Sequence, residues 1–200
     1  MSNCIEQDSL SIRRSVYGLE KTLPVSDNCL FETIQACLKN CPTPFNVQSA
    51  RIAVLLNEYH HKLWQIIENN LVALTSGEQR AAMRKRIAGF SQAHGTVLFF
   101  EDKKSLALLK KKYPLYAKNM SVWVQQANGI LQYMIWQTLA ENNIGASLQH
   151  YNEVIENDLP DLLKLPKNWE LVAEMPFGSI NKEPAEKTFL PLEERFKIFK

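Results

Sequence analysis

Apolar positions at helical spacing predict the first long helix of the chain. The 3.6-residue period of an α-helix is followed by Leu30, Ile34, Cys37, Leu38 and Cys41. Ser26 or Asp27 is placed to cap the first turn of this helix. Pro42 and Pro44 remove amide donors at its other end, so the pattern predicts that the helix ends there and that residues 46–49 lie on a loop.

Two short apolar runs and one alternating run predict strands. Residues 51–56 and 96–101 are apolar and partly β-branched, which is typical of interior strands. Residues 169–175 alternate with period two and predict a third strand, closed by Pro176 and the two residues after it. Helical patterns occupy the intervening segments at residues 59–74, 78–91 and 103–112.

A long helix and an apolar tail complete the pattern. Residues 122–142 carry a broad apolar face that Ser121 is placed to cap, and glutamines interrupt it, so a central core or dimer helix is predicted and a membrane span is not. Residues 181–187 form a polar linker, and residues 189–199 are too apolar to remain free in water. We therefore predict one domain over residues 1–200, with residues 179–200 as an extension that packs on a partner subunit.

Composition narrows the class of protein. The formal net charge is +2, from 23 Lys and Arg against 21 Asp and Glu, so there is no electrostatic reason for a nucleic-acid or membrane partner. The five lysines among residues 103–112 leave nucleic-acid binding only as a weak alternative. An acidic start without a secretion signal predicts a soluble, cytoplasmic protein, in which the four cysteines are reduced structural thiols.

Several kinds of chemistry lack their sequence motifs. No two of the seven glycines are close enough for a dinucleotide-binding turn or a P-loop, and no G-x-S-x-G, H-E-x-x-H or C-x-x-C is present. His60 and His61 are adjacent on a predicted helix and point about 100° apart, so they are interpreted as surface histidines rather than metal ligands. A bound redox cofactor fits this pattern, because the cofactor itself supplies the reactive group.

Four segments carry the candidate chemistry. Arg13 and Arg14 offer forked guanidinium groups suited to a phosphate, although such a pair alone also fits a solvated helix face. Asn46 and Gln48 both donate and accept hydrogen bonds, and their spacing puts them on one side of an extended segment, although an ordinary polar loop is also possible. The third segment is the small-residue turn and the residues after it at 143–152, and the fourth, at residues 194–197, also fits a charged surface turn.

These segments, in this order and over essentially the whole chain, resemble the nitroreductase family. The compact chain, with residues 23–24 before a helix and the segments 95–102, 126–129, 146–152 and 191–197 in this order, resembles the short branch related to fatty-acid-repression-type nitroreductases. The resemblance implies an α+β fold with a central mixed or antiparallel sheet surrounded by helices. It also implies a homodimer with shared active sites and a domain-swapped C-terminal tail.

The resemblance implies an FMN site and assigns its phosphate end. Arg13 and Ser15 are expected to bind the phosphate, with Arg14 as a backup or structural partner. Arg195, with Lys197 in reserve, matches a further basic ligand near the carboxyl end. Tyr17 stands where many longer relatives have another basic residue. The lysine that commonly approaches the flavin pyrimidine has only regional candidates, which are Arg84, Lys85 and Arg86.

The rest of the implied site contacts the flavin rings. The loop that carries Asn46, Gln48 and Ser49 is expected to reach flavin bound mainly by the other subunit. Backbone from Ser147 through Leu148 and Gln149 is expected to cross one flavin face, with the amide of Gln149 or His150 directed at flavin N5. Aromatic residues that fit the opening of the site are Phe45, Tyr113, Tyr116 and Trp123.

The implied function is an FMN-dependent NAD(P)H oxidoreductase of the nitroreductase or quinone reductase type. NADPH or NADH is expected to reduce the flavin by hydride transfer to N5. An electron-poor nitroaromatic or quinone then replaces it, in a ping-pong scheme. The alternative is a flavin-binding regulatory or storage protein with little turnover, because binding flavin and reducing a substrate are separable properties.

Overall fold

A computed structural model of the chain describes residues 9–200, and the predicted thiol Cys4 lies outside them. The helices are α1 (Ser9–Ile12), α2 (Asp27–Asn40), α3 (Asn57–Leu74), α4 (Gly77–Ser91), α5 (Lys103–Lys112), α6 (Ala117–Glu141), α7 (Asn152–Ile155) and α8 (Leu159–Leu163). The strands are β1 (Gly18–Glu20), β2 (Ala50–Leu56), β3 (Gly95–Asp102), β4 (Ile144–Ala146) and β5 (Trp169–Lys182). Single 3₁₀ turns occur at Pro44–Asn46, Pro114–Tyr116 and Leu192–Glu194.

A five-stranded antiparallel sheet organises the fold. Its strand order is β1-β5-β3-β2, and β4 also pairs with β5. Parallel pairing is seen in one isolated bridge between Ser15 and Ala146. Helices surround the sheet, so the predicted α+β class is confirmed.

Both faces of the sheet are covered, because β3 sends alternate side chains to opposite sides. Val97 and Phe99 join the cluster that α2 and α6 pack against. Leu98 and Phe100 join the cluster formed with α3 and α4. Every residue of β3 is buried, as the continuous apolar run predicted.

The helix predictions are confirmed, with one change of boundary. In α2 the Ser26 hydroxyl accepts a hydrogen bond from the Cys29 amide at 3.3 Å, so Ser26 is the cap. The predicted cap of the long helix at Ser121 is wrong, because α6 begins at Ala117, directly after the Pro114–Tyr116 turn. The Ser121 hydroxyl instead accepts a hydrogen bond from Lys110 Nζ at 2.7 Å.

Two strand predictions need correction. β2 was expected in the interior, but it lies at the edge of the sheet and most of its residues are half-buried. The third strand does not close at Pro176 but continues to Lys182. Pro176 takes part in the pairing of the strand through its carbonyl, which accepts the Ser147 amide at 3.3 Å. β1 and β4 have only three residues each, too few for a periodic pattern to predict them.

The interpretation of His60 as a surface residue is wrong. Its side chain is 1% exposed, and Nδ1 lies 2.9 Å from the Thr96 hydroxyl oxygen, which also accepts the Trp64 indole N–H at 3.0 Å. His61 is exposed, as predicted. Side chains of adjacent helical residues point in different directions, and only the His60 ring faces the sheet.

The C-terminal extension divides into two parts. Residues 179–182 belong to β5, whereas residues 183–200 run along the surface and are almost all exposed. Phe189 is 75% exposed and Phe199 is 94% exposed. The apolar tail is thus largely uncovered in the single chain.

Replacing Gly178 with alanine is expected to lower the free energy of unfolding by about 1–3 kcal/mol, because overpacking a close contact forces backbone to shift. A Cβ at this position would overlap the Glu20 carbonyl oxygen and lie 3.1 Å from the His94 amide nitrogen. Urea denaturation of the cofactor-free protein measures the change. Gly129→Ala is the matched control, since a Cβ there meets nothing within 4 Å and α6 gains helix propensity. Equal losses in both variants would contradict the steric explanation.

Candidate functional site

The structure brings three distant segments of the chain to one cavity of about 410 Å³. Arg13, Ser15 and Leu148 line it, together with four residues of α6, namely Gly129, Gln132, Tyr133 and Trp136. The volume lies within the range usual for cofactor and ligand pockets. We call it the Arg13 cavity.

A single carbonyl ties the cavity walls together. The Ala146 carbonyl accepts the Val16 amide at 2.9 Å and the Trp136 indole N–H at 3.1 Å. The Arg13 guanidinium stacks over the Trp136 ring, 4.4 Å from its centroid. Among residues 9–200, no carboxylate forms an ion pair with Arg13, so its charge remains available to an anion.

Residues 147–151, which we call the strip, run antiparallel beside β5. The Ser147 amide donates to the Pro176 carbonyl at 3.3 Å, and the Gln149 amide donates to the Glu174 carbonyl at 2.7 Å. Amides of successive residues in an extended segment point in opposite directions, so those of Leu148 and His150 face away from β5. Of the two amides predicted for flavin N5, the Gln149 amide is therefore occupied, which leaves that of His150.

The side chains of the strip differ in exposure. Ser147 and Gln149 are buried, at 0% and 8% exposure, and they bond each other through Gln149 Nε2 and Ser147 Oγ at 3.1 Å. Leu148 is half-buried against the cavity and His150 is exposed. A flat ligand in the cavity would touch Leu148 and the strip backbone, whereas Ser147 and Gln149 support the strip from behind.

The predicted basic ligands are not all brought together. Arg14 does not line the Arg13 cavity. It lines a second surface cavity, which Arg13 also borders, and donates to the Ala185 carbonyl, so it ties the C-terminal linker to the start of the chain. Arg195 and Lys197 do not line the Arg13 cavity. Both are exposed, and Lys197 Nζ donates to the Glu193 carbonyl at 2.7 Å.

The loop of residues 46–49 lies apart from the Arg13 cavity within the single chain. The prediction that Asn46 and Gln48 share one side of an extended segment is wrong, because both adopt left-handed backbone, with φ of 52° and 50°. Their side chains are exposed. Ser49, by contrast, is buried, at 2% exposure.

An ion pair fixes this loop to the sheet. Arg51 donates to the Gln48 carbonyl at 2.7 Å and pairs with Asp102 Oδ2 at 2.7 Å. Burial raises the pKa of Asp102, but hydrogen bonds from Ser105, Asn168 and nearby amides outweigh it and hold that pKa at about 2. The carboxylate therefore stays charged, and the loop keeps its shape, over the physiological pH range.

The four predicted aromatic residues form one cluster beside the loop. Phe45 stacks on Tyr113 with ring centroids 4.3 Å apart and approaches Tyr116 and Trp123 at 5.8 Å and 6.4 Å. Phe45 has φ of 51°, a backbone conformation that is unfavourable for a bulky residue. Such strain is found preferentially where ligands bind.

The three regional candidates for the pyrimidine cation are separated by their contacts. Arg84 pairs with Glu68 at 3.2 Å, and Lys85 is exposed. Arg86 lies over the Tyr17 ring, 5.9 Å from its centroid, and hydrogen-bonds the Tyr151 side chain next to the strip. Arg86 is therefore the candidate that the fold places nearest to the strip.

The predicted site lacks the four residues of α6 that line the Arg13 cavity, which are Gly129, Gln132, Tyr133 and Trp136. Gln132 is one of the polar residues that interrupt the apolar face of this helix. A polar side chain repeated at i and i+4 on that face, Asn128 and Gln132, was the available signal. Within residues 9–200, no cluster of three metal-binding side chains occurs, and no helix has the length and hydropathy that crossing a membrane requires.

The chain belongs to the nitroreductase family. Residues 10–179 match the sequence profile of that family. The HBN1 protein of Saccharomyces cerevisiae is 32% identical over 184 residues, which are 91% of each chain. Nitroreductase FRM2 of the same yeast is 28% identical over 185 residues, or 92% of each chain.

Solved structures agree with the family assignment. Nitroreductase CinD from Lactococcus lactis in complex with nicotinic acid has a TM-score of 0.89 and 36% identity, covering 96% of this chain and 98% of that one. The complex of CinD with 4-nitrophenol has a TM-score of 0.85 and 37% identity, with the same coverage. A Desulfitobacterium hafniense nitroreductase with bound FMN is 15% identical, with a TM-score of 0.71 over 98% of this chain and 100% of that one, and shows the shared fold.

Proposed function

We propose that this protein is an FMN-dependent NAD(P)H oxidoreductase of the nitroreductase or quinone reductase type. The observation that carries the proposal is the Arg13 cavity, where an arginine that pairs with no carboxylate among residues 9–200, a hydroxyl and a backbone strip face the same space. Bound FMN would accept hydride from NADPH or NADH at N5 and pass it to an electron-poor nitroaromatic or quinone in a ping-pong cycle.

The phosphate end of FMN is assigned to Arg13 and Ser15. A phosphate monoester carries about −1.5 to −2 charge at neutral pH and prefers a forked guanidinium donor. Arg13 is held half-buried by Trp136, which limits the conformational freedom that binding would otherwise remove. Arg195, with Lys197 in reserve, is proposed to complete the phosphate site when the tail is docked, whereas Arg14 has the structural role of holding the linker.

The isoalloxazine is assigned to the strip. Leu148 would pack against the ring, and the His150 amide, which faces away from β5, would donate to N5. Ser147 and Gln149 hold the strip by their bond to each other and by their amides. Arg86, which lies over the Tyr17 ring and hydrogen-bonds the Tyr151 side chain, would supply the cation near the pyrimidine edge.

The active unit is proposed to be a homodimer with shared sites. Asn46 and Gln48 are exposed on a fixed loop, but within one chain they lie outside the Arg13 cavity, so they would serve the partner's flavin. Exposed apolar residues on the tail and on α6 supply surface that pairing would cover, for example Phe199, Leu192, Ile130 and Tyr133. The apolar tail would then pack on the partner subunit.

Small aromatic oxidants suit the Phe45 cluster. Its stacked and tilted rings present flat apolar surface, with Phe45 itself 46% exposed. Structures of CinD hold 4-nitrophenol and chloramphenicol, both of which carry nitroaromatic rings. A cluster on the loop that approaches the partner's flavin would place such a ring over the cofactor.

Two measurements test the cofactor and the turnover separately. The purified protein is expected to be yellow and to release FMN on denaturation, as identified by mass spectrometry. Stopped-flow mixing with NADPH or NADH should bleach the flavin within seconds, and menadione or a nitroaromatic should restore its colour. A yellow protein that is not reduced would support the flavin-binding regulatory or storage alternative, and a colourless protein that does not take up FMN would refute both.

Replacing Arg13 with alanine is expected to weaken FMN binding by about 1.5–3 kcal/mol, or about 10- to 150-fold in Kd, because a charge-assisted bond to phosphate is lost. Arg13→Lys keeps the positive charge but not the two-point geometry of the guanidinium, so it should weaken FMN binding less than Arg13→Ala does. Fluorescence titration of the cofactor-free protein with FMN measures both.

The charge-matched control is Lys62→Ala, which removes an exposed cation paired with Glu58. It should leave the FMN affinity unchanged, since exposed pairs contribute little. Arg195→Ala is expected to fall in the same range as Arg13→Ala. Unchanged FMN affinity in both Arg13→Ala and Arg195→Ala would show that the phosphate binds elsewhere.

A further inference from the structure

A buried carboxyl group lies behind the strip and has no part in the chemistry described so far. Glu174 on β5 is 0% exposed. Its backbone exchanges two hydrogen bonds with Gln149, at 2.7 Å and 3.0 Å, and its Oε2 accepts the Tyr151 amide at 3.0 Å. One residue therefore holds the strip at two points, on both sides of the His150 amide.

The second carboxyl oxygen of Glu174 is unusual. Within the part of the chain that the structure describes, buried Oε1 has no hydrogen-bond partner. A buried carboxylate is stable only when both oxygens are well solvated or paired. An anion would leave charge on this unpaired oxygen, whereas a neutral acid would leave only an unpaired hydroxyl or carbonyl there, so burial favours the neutral form.

The charged and titratable groups near Glu174 do not compensate for its burial. Tyr151 contributes its amide, and Arg86 on α4 is directed to the Tyr151 side chain and the Tyr17 ring. Across the sheet, the residue of β3 in register with Glu174 is the apolar Leu98. Burial therefore raises the pKa of Glu174 to about 7, although the Tyr151 amide lowers it in part.

We propose that Glu174 is a positioning residue for the flavin site, which as a neutral acid fixes the strip and on losing its proton loosens it. The inference rests on the proposed function and specifies how the N5-directed amide is kept in place. Ionisation leaves a charge on an oxygen without a partner, and the least costly relief is entry of water behind the strip. Between Ser147 and Tyr151 the strip is bound to β5 by a few hydrogen bonds, whereas Glu174 itself is held inside the sheet by β3.

Two substitutions distinguish the role of Glu174 as a hydrogen-bond acceptor from its role as a titratable group. Glu174→Gln keeps a carbonyl oxygen for the Tyr151 amide but cannot ionise, and Glu174→Ala removes the acceptor. We expect wild type and Glu174→Gln to bind FMN equally at pH 6. At pH 8.5 the wild-type Kd should exceed that of Glu174→Gln by on the order of 10-fold, since each pH unit above the pKa changes the neutral fraction tenfold. Glu174→Ala should bind more weakly than Glu174→Gln at both values.

The FMN phosphate also titrates near pH 6, but this contribution is common to both proteins and cancels in the ratio of their Kd values. Repeating the titration with riboflavin, which has no phosphate, should give the same ratio. Identical pH profiles for wild type and Glu174→Gln would overturn the inference.

Hydrogen exchange of the flavin-free protein provides a second readout. After correction for the intrinsic pH dependence of exchange, protection of the Gln149 and Tyr151 amides should fall on the order of 10-fold between pH 6 and pH 8.5 in wild type. It should stay constant in Glu174→Gln, and amides within β3 should stay constant in both. Failure of every variant to bind FMN would refute the proposed function. In that case hydrogen exchange alone would test whether Glu174 controls the strip. Protection of the Gln149 and Tyr151 amides that does not change with pH in wild type would refute this control.

Discussion

Replacing Asn128 with alanine is expected to lower the free energy of unfolding by about 2–4 kcal/mol, because it removes the central member of a buried polar network. Asn128 is 0% exposed on α6. Its Nδ2 donates to Glu101 Oε1 at 2.9 Å and to the Phe100 carbonyl at 3.2 Å, and its Oδ1 accepts from Gln132 at 2.8 Å. Alanine would leave these partners buried without bonds.

Glu101 contributes most of the expected loss. It is 2% exposed, and burial raises the pKa of its carboxyl group even with Asn128 in place. Without that donor, the carboxyl group loses one of the two side-chain hydrogen bonds, from Asn128 and from Ser49, that lower its pKa. Because Gln132 also lines the Arg13 cavity, the same substitution frees an amide at the cavity wall.

Urea denaturation of the flavin-free protein measures this change through the transition midpoint. Gln126→Ala is the matched control, because Gln126 lies on the same helix with an exposed side chain. It should change the free energy of unfolding by no more than about 0.5 kcal/mol. Similar midpoints for Asn128→Ala and Gln126→Ala would contradict a structural role for the network.

Acidification from pH 6.5 to below pH 4 is expected to remove about 3 kcal/mol of stability that depends on His60. Burial, reinforced by the neighbouring His61, lowers the pKa of His60 from 6.5 to about 4. In this window the unfolded chain binds a proton that the folded chain does not. The contribution is therefore fully present above pH 6.5 and is lost as the pH falls through about 4.

The measurement is the difference in unfolding free energy between wild type and His60→Gln, followed from pH 7 to pH 4. This difference should shrink by about 3 kcal/mol as the pH falls. His150→Gln, which removes an exposed imidazole far from Thr96 in sequence and outside its hydrogen bonds, is the control. A constant difference for His60→Gln would show that His60 does not stay neutral in the folded protein.

The wild-type profile alone would conceal this effect, because Glu174 acts in the opposite direction. Its pKa is raised from 4.5 to about 7, so its contribution is present below pH 4.5 and is lost as the pH rises through about 7. Between pH 4.5 and 6.5 the two slopes oppose each other. Measuring His60→Gln in the Glu174→Gln background separates them.

Local patterns were sufficient for much of the fold. The cap and period of α2, the apolar run of β3 and the helical pattern of α5 each depend on residues within a few positions of one another. The resemblance to the nitroreductase family also rested on short segments of residues that are neighbours in the sequence. The sequence also placed Arg13, Ser15 and Leu148 in one site through that resemblance, and the structure brings all three to the Arg13 cavity.

Tertiary pairing decided what local patterns could not. β1 and β4 form because β5 is there to pair with them, and β5 itself continues past Pro176 through its pairing with these two strands. His60 and Glu174 are polar residues whose burial depends on contacts far away in the chain. The choice between the Gln149 and His150 amides likewise required the register with β5.

The sequence by itself determined the α+β class, the major helices and strands, the family and the arginine and hydroxyl suited to a phosphate. Only the tertiary structure decided which strip amides face away from the sheet, which histidine is buried, and that a buried carboxyl lies behind the strip. The reason is that periodicity and capping are short-range properties, whereas hydrogen-bond register and desolvation are set by residues that approach only when the sheet has formed.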